Sequence, residues 1–316
     1  MTPRARVLAV VAAAAAVVVA VVVGGTWLQS RGERTTAPGS VAHPRSGTPP
    51  LLFDFGTRND AETRELSAGA TLLRRGKKAQ AAAIFGRYHS LQAQLGSAFA
   101  TWPNGSLDSV KQIVAANPHS PVAQLHLALA LYWSGRNADA VKAFQQVDSR
   151  FPDSASAVSA EDLLYANRFV PGLPYMIAPL SLPEAPTLAA QLEKAKASPL
   201  VYGVMLWRLD RRISARHALD RAAAQAPQDP VAQTLDAVSY FTKKNPRAAF
   251  ARLGPLTGRF PKSAVVRFHL GLLLIWEKEV RKGVKQLRLA AADEPGSVYA
   301  TQAKKLVSAL VPNGTK

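Results

Sequence analysis

Cysteine is missing from all 316 residues, which excludes disulfides, thiolate metal sites, a cysteine nucleophile and a lipid-modified cysteine anchor, while leaving either redox compartment open. Charged residues amount to only 19%, against 48% hydrophobic, so the chain is not disordered wholesale and can bury the core of one large or two small domains. Carboxylates are scarce, 21 against 39 Lys and Arg, and the shortage is uneven: residues 196–316 carry 21 Lys or Arg against 8 Asp or Glu, a net of +13, and residues 1–195 carry 18 against 13, a net of +5. A basic C-terminal part admits an anionic partner such as lipid headgroups or a cell-wall polymer, with nucleic acid the least favoured. Catalytic signatures are also missing: no G-x-S-x-G, H-E-x-x-H, G-x-x-x-x-G-K or post-strand G-x-G-x-x-G occurs. The adjacent carboxylates Glu161 and Asp162 point to different faces of a helix and suit solvent better than acid–base work. Neither catalysis nor a cofactor or metal is expected.

One long apolar run is present. After Arg4 and Arg6, the stretch from Val7 to Leu28 holds 22 residues without a charge, enough to cross about 30 Å of hydrocarbon as a helix. It exceeds the apolar core of a cleaved signal peptide, roughly 7 to 15 residues, and no clear small-x-small cleavage site follows, so residues 1–30 are read as a basic tail and a single-pass anchor. A short basic tail stays most simply in the cytoplasm, leaving the body outside it at the cell membrane. Residues 31–58 are rich in Pro, Gly, Ser and Thr and read as a flexible tether, in which Leu51–Phe55, "LLFDF", is suited to dock on the body as an extended segment.

Self-similarity organises the rest. "VAQLHLALALYW" at 122–133 and "VVRFHLGLLLIW" at 265–276 share Val, His, Leu and Trp at the same steps. Prolines recur at Pro118, Pro152, Pro227, Pro261 and Pro295, spaced by 34, 75, 34 and 34 residues; 75 is one period of 34 plus a unit of 41. Within the unit 121–154, Leu127, Ala128, Leu131, Gly135, Ala140, Phe144 and Pro152 fall where two packed antiparallel helices need large and small groups. Residues 264–297 repeat the scheme with Leu270, Gly271, Leu274, Gly283, Leu287, Ala290 and Pro295.

This pattern resembles the tetratricopeptide repeat, and the resemblance implies an all-α, right-handed superhelical solenoid of helix-turn-helix units over residues 59–297. It departs from the family pattern in two places. "TWPNG" at 101–105 interrupts the first helix of one unit, and a proline-rich insertion at 169–187 swells another; five prolines there forbid a continuous helix. "SP" at 198–199 marks a helix start. Residues 298–316 read as a capping helix and tail.

In this family a stripe of each first helix lines a concave groove that binds extended or helical peptides. The resemblance therefore implies a partner-binding groove of Val122, Leu125, His126, Leu129, Tyr132 and Trp133. Its second copy comprises Val265, Phe268, His269, Leu272, Ile275 and Trp276, and Trp207 and Phe241 join it. The competing reading is that this stripe is core, with the insertion near Val170–Leu182 folded into the groove. Each histidine alone suits a satisfied, partly buried residue better than a ligand, and the two stand too far apart to share a metal. A second pattern is a basic edge of inter-helix turns: Arg74, Arg75, Lys77 and Lys78, then Arg136, Arg211 and Arg212, then Lys243, Lys244, Arg281 and Lys282. It suits a polyanion, although helix dipoles alone favour cations there. Asn104-Gly105-Ser106 is a glycosylation pattern of low specificity. The expected function is a membrane-tethered protein-interaction scaffold without catalysis. The alternatives are a binder of anionic polymer or headgroups through the basic edge, and, behind it, an enzyme with a site in the insertion.

Overall fold

Helix starts are written in the sequence as Ser or Asp, often followed by Pro. In the computed structural model, which describes residues 45–166 and 170–311, Ser120, Ser198 and Asp229 each accept a backbone N–H of the first turn, with Pro121, Pro199 and Pro230 just inside. Such caps satisfy amides that have no partner within the helix. Ser90, Ser154 and Ser297 cap in the same way.

The described residues form fifteen helices and no strand. In chain order they are α1 (Ala61–Arg74), α2 (Lys78–Phe85), α3 (Leu91–Ala100), α4 (Ser106–Ala116), α5 (Pro121–Trp133), α6 (Asn137–Arg150) and α7 (Ala155–Leu164). After the insertion come α8 (Leu188–Ala195), α9 (Pro199–Arg208), α10 (Arg212–Gln225), α11 (Pro230–Ser239), α12 (Arg247–Arg259), α13 (Ala264–Trp276), α14 (Val280–Asp293) and α15 (Val298–Leu310). Outside the insertion, first helices pack on their second helices, and each second helix packs on the next first one, as in α5 with α6 and α7. "TWPNG" does not interrupt a first helix: it is the turn between α3 and α4, so that unit is a regular pair.

Apart from α8, second helices start without a cap from the side chain of their own N-cap residue. Five of them follow a residue in the left-handed region: Gly76, Gly105, Gly135, Asp210 and Lys278, at φ of 77, 66, 79, 57 and 65°. Glycine takes that conformation freely and a side chain strains it. Where paired helices touch most closely, a Cβ on Gly271 would stand 3.0 Å from the Gly283 carbonyl oxygen and from Leu287, which is why the periodic small residue is needed there.

The buried apolar side chains divide into two clusters. One draws on residues 51–164 and contains Phe85, Phe99, Leu125 and Leu129; the other draws on residues 165–310 and contains Trp207, Phe241, Phe268 and Trp276. Helix α15 closes the second by burying Tyr299, Ala303 and Leu306 and leaving Thr301, Lys304 and Lys305 wet. The apolar run at 7–28 and its topology lie outside the described residues, among which no helix is long and apolar enough to cross a membrane.

Candidate functional site

Both repeated histidines are held and used in the same way. His126 places Nδ1 2.7 Å from the carbonyl oxygen of Val122, and His269 places Nδ1 2.9 Å from that of Val265, each one turn back on its own helix. On the other side of the ring, Nε2 of His126 accepts the backbone N–H of Leu52 at 3.2 Å, and Nε2 of His269 accepts that of Ile177 at 3.1 Å. Because Nε2 must accept, the proton sits on Nδ1 and donates to the carbonyl, which fixes both tautomers. Burial pushes both imidazoles down to about 4 and keeps them neutral, although the carbonyl partner works in the opposite direction. Each histidine is a latch for a stretch of extended chain.

The latched segments are the chain's own. Residues 45–55, from the region read as tether, run as a strap across the first half: the Arg45 amide donates to Trp133 O, its guanidinium donates to Tyr132 O and lies 3.4 Å over the Tyr132 ring, and Gln92 donates to Asp54 O. Phe53 sits between Phe85 and His126, with ring centroids 6.3 and 5.8 Å away. In the second half, residues 170–180 of the insertion take this place. Trp207 Nε1 donates to Pro174 O at 2.7 Å, and Tyr299 donates to Ile177 O.

The stripe residues therefore fall into two places. Val122, Leu125, His126 and Leu129 are buried beneath the strap, with Tyr132 and Trp133 only partly covered. Val265, Phe268, His269, Leu272, Ile275 and Trp276, with Trp207 and Phe241, are buried with the insertion. Trp133 and Trp276 occupy equivalent steps, yet Trp276 is 3% exposed while Trp133 borders two cavities of about 680 and 370 Å³. The larger lies between the strap and α1, and Lys78 stands at both.

The basic edge is not continuous. Arg74, Arg75, Lys77, Lys78, Arg136, Lys244, Arg281 and Lys282 are exposed, but Arg211, Arg212 and Lys243 turn inward into ion pairs. Arg212, 5% exposed, meets Asp148 and Glu161; Lys243, 2% exposed, meets Asp162; Arg211 meets Asp54 of the strap at 2.8 Å. Burial opposes the Arg212 charge, and the Glu161 and Asp148 carboxylates outweigh it to raise its pKa. Burial lowers Lys243 to about 8, with Glu161 pulling the other way. Asp153 accepts the amides of Ile213 and Ser214, capping α10 from the previous half. These contacts form a polar seam between the two apolar clusters. Glu161 and Asp162, expected in solvent, are among its acidic members, Glu161 buried and Asp162 partly covered.

A further carboxylate pair lies on α10 and α11. Asp236 stands beside Asp220, whose other partner is the Tyr240 hydroxyl, and Arg216 and Arg252 lie over the Tyr240 ring. Burial, then the hydrogen bond with Asp220 and its charge, raises Asp236 to about 7. Among the described residues no cluster of three or more His, Asp or Glu is arranged to hold a metal.

Residues 103–161 match the tetratricopeptide repeat family. That span runs from the turn before α4 into α7, so it takes in the unit carrying His126 and one side of the seam. Among solved structures, MamA residues 41 to the end from Desulfovibrio magneticus RS-1 aligns at 14% identity over 76% of this chain and 98% of that one, with a TM-score of 0.26. Yeast Tom70 aligns at 14% identity over 84% of this chain and 53% of that one, with a TM-score of 0.33. No curated protein matches the chain.

Proposed function

We propose that this chain is a membrane-tethered protein-interaction scaffold that takes an extended segment of a protein partner on the first helices of its N-terminal half. The tetratricopeptide match over residues 103–161 supports the general reading, since helix pairs of this kind present broad surfaces and need no catalytic group. One observation carries the particular surface: Trp133 is partly exposed between two cavities, whereas the equivalent Trp276 is buried. A large aromatic at the wall of a concavity is the usual anchor of an interface. The tether remains the reading of the sequence: the uncharged run at 7–28 anchors the chain in the cell membrane and leaves the body outside the cytoplasm.

The test is a photo-reactive amino acid placed at position 133 or 276 of the full chain in intact cells. Adducts to one defined protein from position 133, and none from position 276, are expected; no adduct from position 133 defeats the surface. Protease added to spheroplasts of the same cells should digest the body, and full protection would defeat the orientation.

A further inference from the structure

We infer that residues 51–55 are a resident copy of what the N-terminal half, together with Arg211 of the second half, recognises: the partner presents an extended segment with the apolar, aromatic and acidic order of Leu51, Leu52, Phe53, Asp54 and Phe55, and it binds by displacing the strap. This rests on the scaffold reading above and specifies its partner.

The strap engages the body through features that any such segment carries. A backbone N–H goes to His126 Nε2, an aromatic ring enters between Phe85 and His126, and a carboxylate reaches Arg211 at 2.8 Å. Only the ring and the carboxylate select sequence; the latch reads backbone, as in other modes of extended-peptide recognition. A basic chain suits an acidic segment.

The seat is also built for exchange, and the other one is not. Residues 51–55 are all partly exposed, and the 680 Å³ cavity lies along their flank. In the insertion, Met176 and Ile177 are 2% and 4% exposed. The strap joins α1 through residues 56–60 and is held at Arg45 by its bonds to Trp133 O and Tyr132 O. The insertion is tied at both ends, by the Gly172 amide on Asp162 and by Lys194 on Glu184 O. A segment tethered this closely competes at an effective concentration on the order of millimolar, so the strap weakens every partner by a large constant factor and admits only one that matches the seat.

The probe is a fluorescein-labelled peptide of residues 48–57, with versions carrying Phe53→Ala or Asp54→Asn, titrated into the full chain and into a full chain with Phe53→Ala and Asp54→Asn in its own strap. The strap-substituted chain should bind the peptide at least about tenfold more tightly than the unchanged chain, and either altered peptide should lose most of that gain. Equal affinity for the two chains, or for the intact and carboxylate-free peptides, overturns the inference. A wild-type dimer that the peptide dissolves also overturns it, because the strap would then serve a second copy. Should the substituted chain fail to fold, hydrogen exchange on the unchanged chain decides: saturating peptide should expose the Leu52 amide and leave the Ile177 amide protected, and an unchanged Leu52 refutes displacement. If the peptide fails while crosslinks from position 133 persist, this specificity falls and the scaffold reading stands.

Discussion

The two halves carry the same latch and put it to different uses. Around His269, Pro174, Met176 and Ile177 of the insertion are buried with Trp207, Trp276 and Tyr299; around His126, Leu51 to Phe55 of the strap are all partly exposed beside open cavities. The contrast shows that a repeated motif fixes a local geometry, an imidazole offering an acceptor to extended chain. What that chain is, and how tightly it is covered, decides whether the result is core or docking surface.

The widest difference is expected at the equivalent tryptophans. Trp276→Ala should cost about 3 to 5 kcal/mol, as buried large-to-small changes do, whereas Trp133→Ala, already partly wet, should cost about 1 kcal/mol and abolish capture of the partner. Denaturant melts of the two variants measure this, and equal losses would erase the distinction between the halves.

The polar seam is the next place to break the comparison. Arg212→Ala leaves Glu161, 3% exposed, and Asp148 without their cation, and stranding a buried charge costs about 3 to 5 kcal/mol. Because this seam joins two separate apolar clusters, the variant should unfold in two steps by calorimetry. A single unshifted transition would mean that the halves are held by something else.

A smaller effect sharpens the same contrast at the turns. The first half uses Gly76 and Gly135 in the left-handed region, and the second uses Asp210 and Lys278. Lys278→Gly should relieve strain and gain about 1 kcal/mol, while Gly135→Lys should lose a similar amount. Thermal midpoints of the pair check it, and a destabilised Lys278→Gly would show that the lysine side chain compensates for its backbone.

The smallest global effect is expected from acid. Stability carried by His126 and His269, depressed from 6.5 to about 4, is complete above about 6.5 and falls as the pH drops towards 4, because the unfolded chain takes up protons that the folded one refuses. Asp210 and Asp236, raised by burial to about 6 and about 7, act in the opposite sense: their contribution is full below their ordinary 3.8 and is lost as the pH rises through those values. Two groups oppose two, so the thermal midpoint should stay nearly flat between about pH 4 and 6. Imidazole chemical shifts resolve the sites. Both histidines should titrate near 4, and a His126 midpoint near 6.5 would show that the strap is not seated.

Much of this was readable in the chain. Prolines at steps of 34 and Ser-Pro or Asp-Pro starts give helix boundaries, because capping and the fixed φ of proline are local. The resemblance drawn from Gly271, Ala128 and Ala140 placed the helix contacts correctly, since a small residue at fixed spacing answers directly to a close approach. "TWPNG" misled because a turn between short helices and a break within one look alike over five residues. Arg211, Arg212 and Lys243 misled for a different reason: a basic residue next to a turn reads as solvated, and the acids that bury it, Asp54, Asp148, Glu161 and Asp162, lie 51 to 157 residues away in sequence.

The recurrence of Val, His, Leu and Trp by itself determined two like helices with a histidine facing the same side, because helical periodicity depends only on spacing along the chain. It could not determine what meets that histidine. A backbone N–H has no sequence signature, and every non-proline residue offers one; only the path of the folded chain brought Leu52 to His126 and Ile177 to His269, leaving Leu52 partly exposed and Ile177 buried.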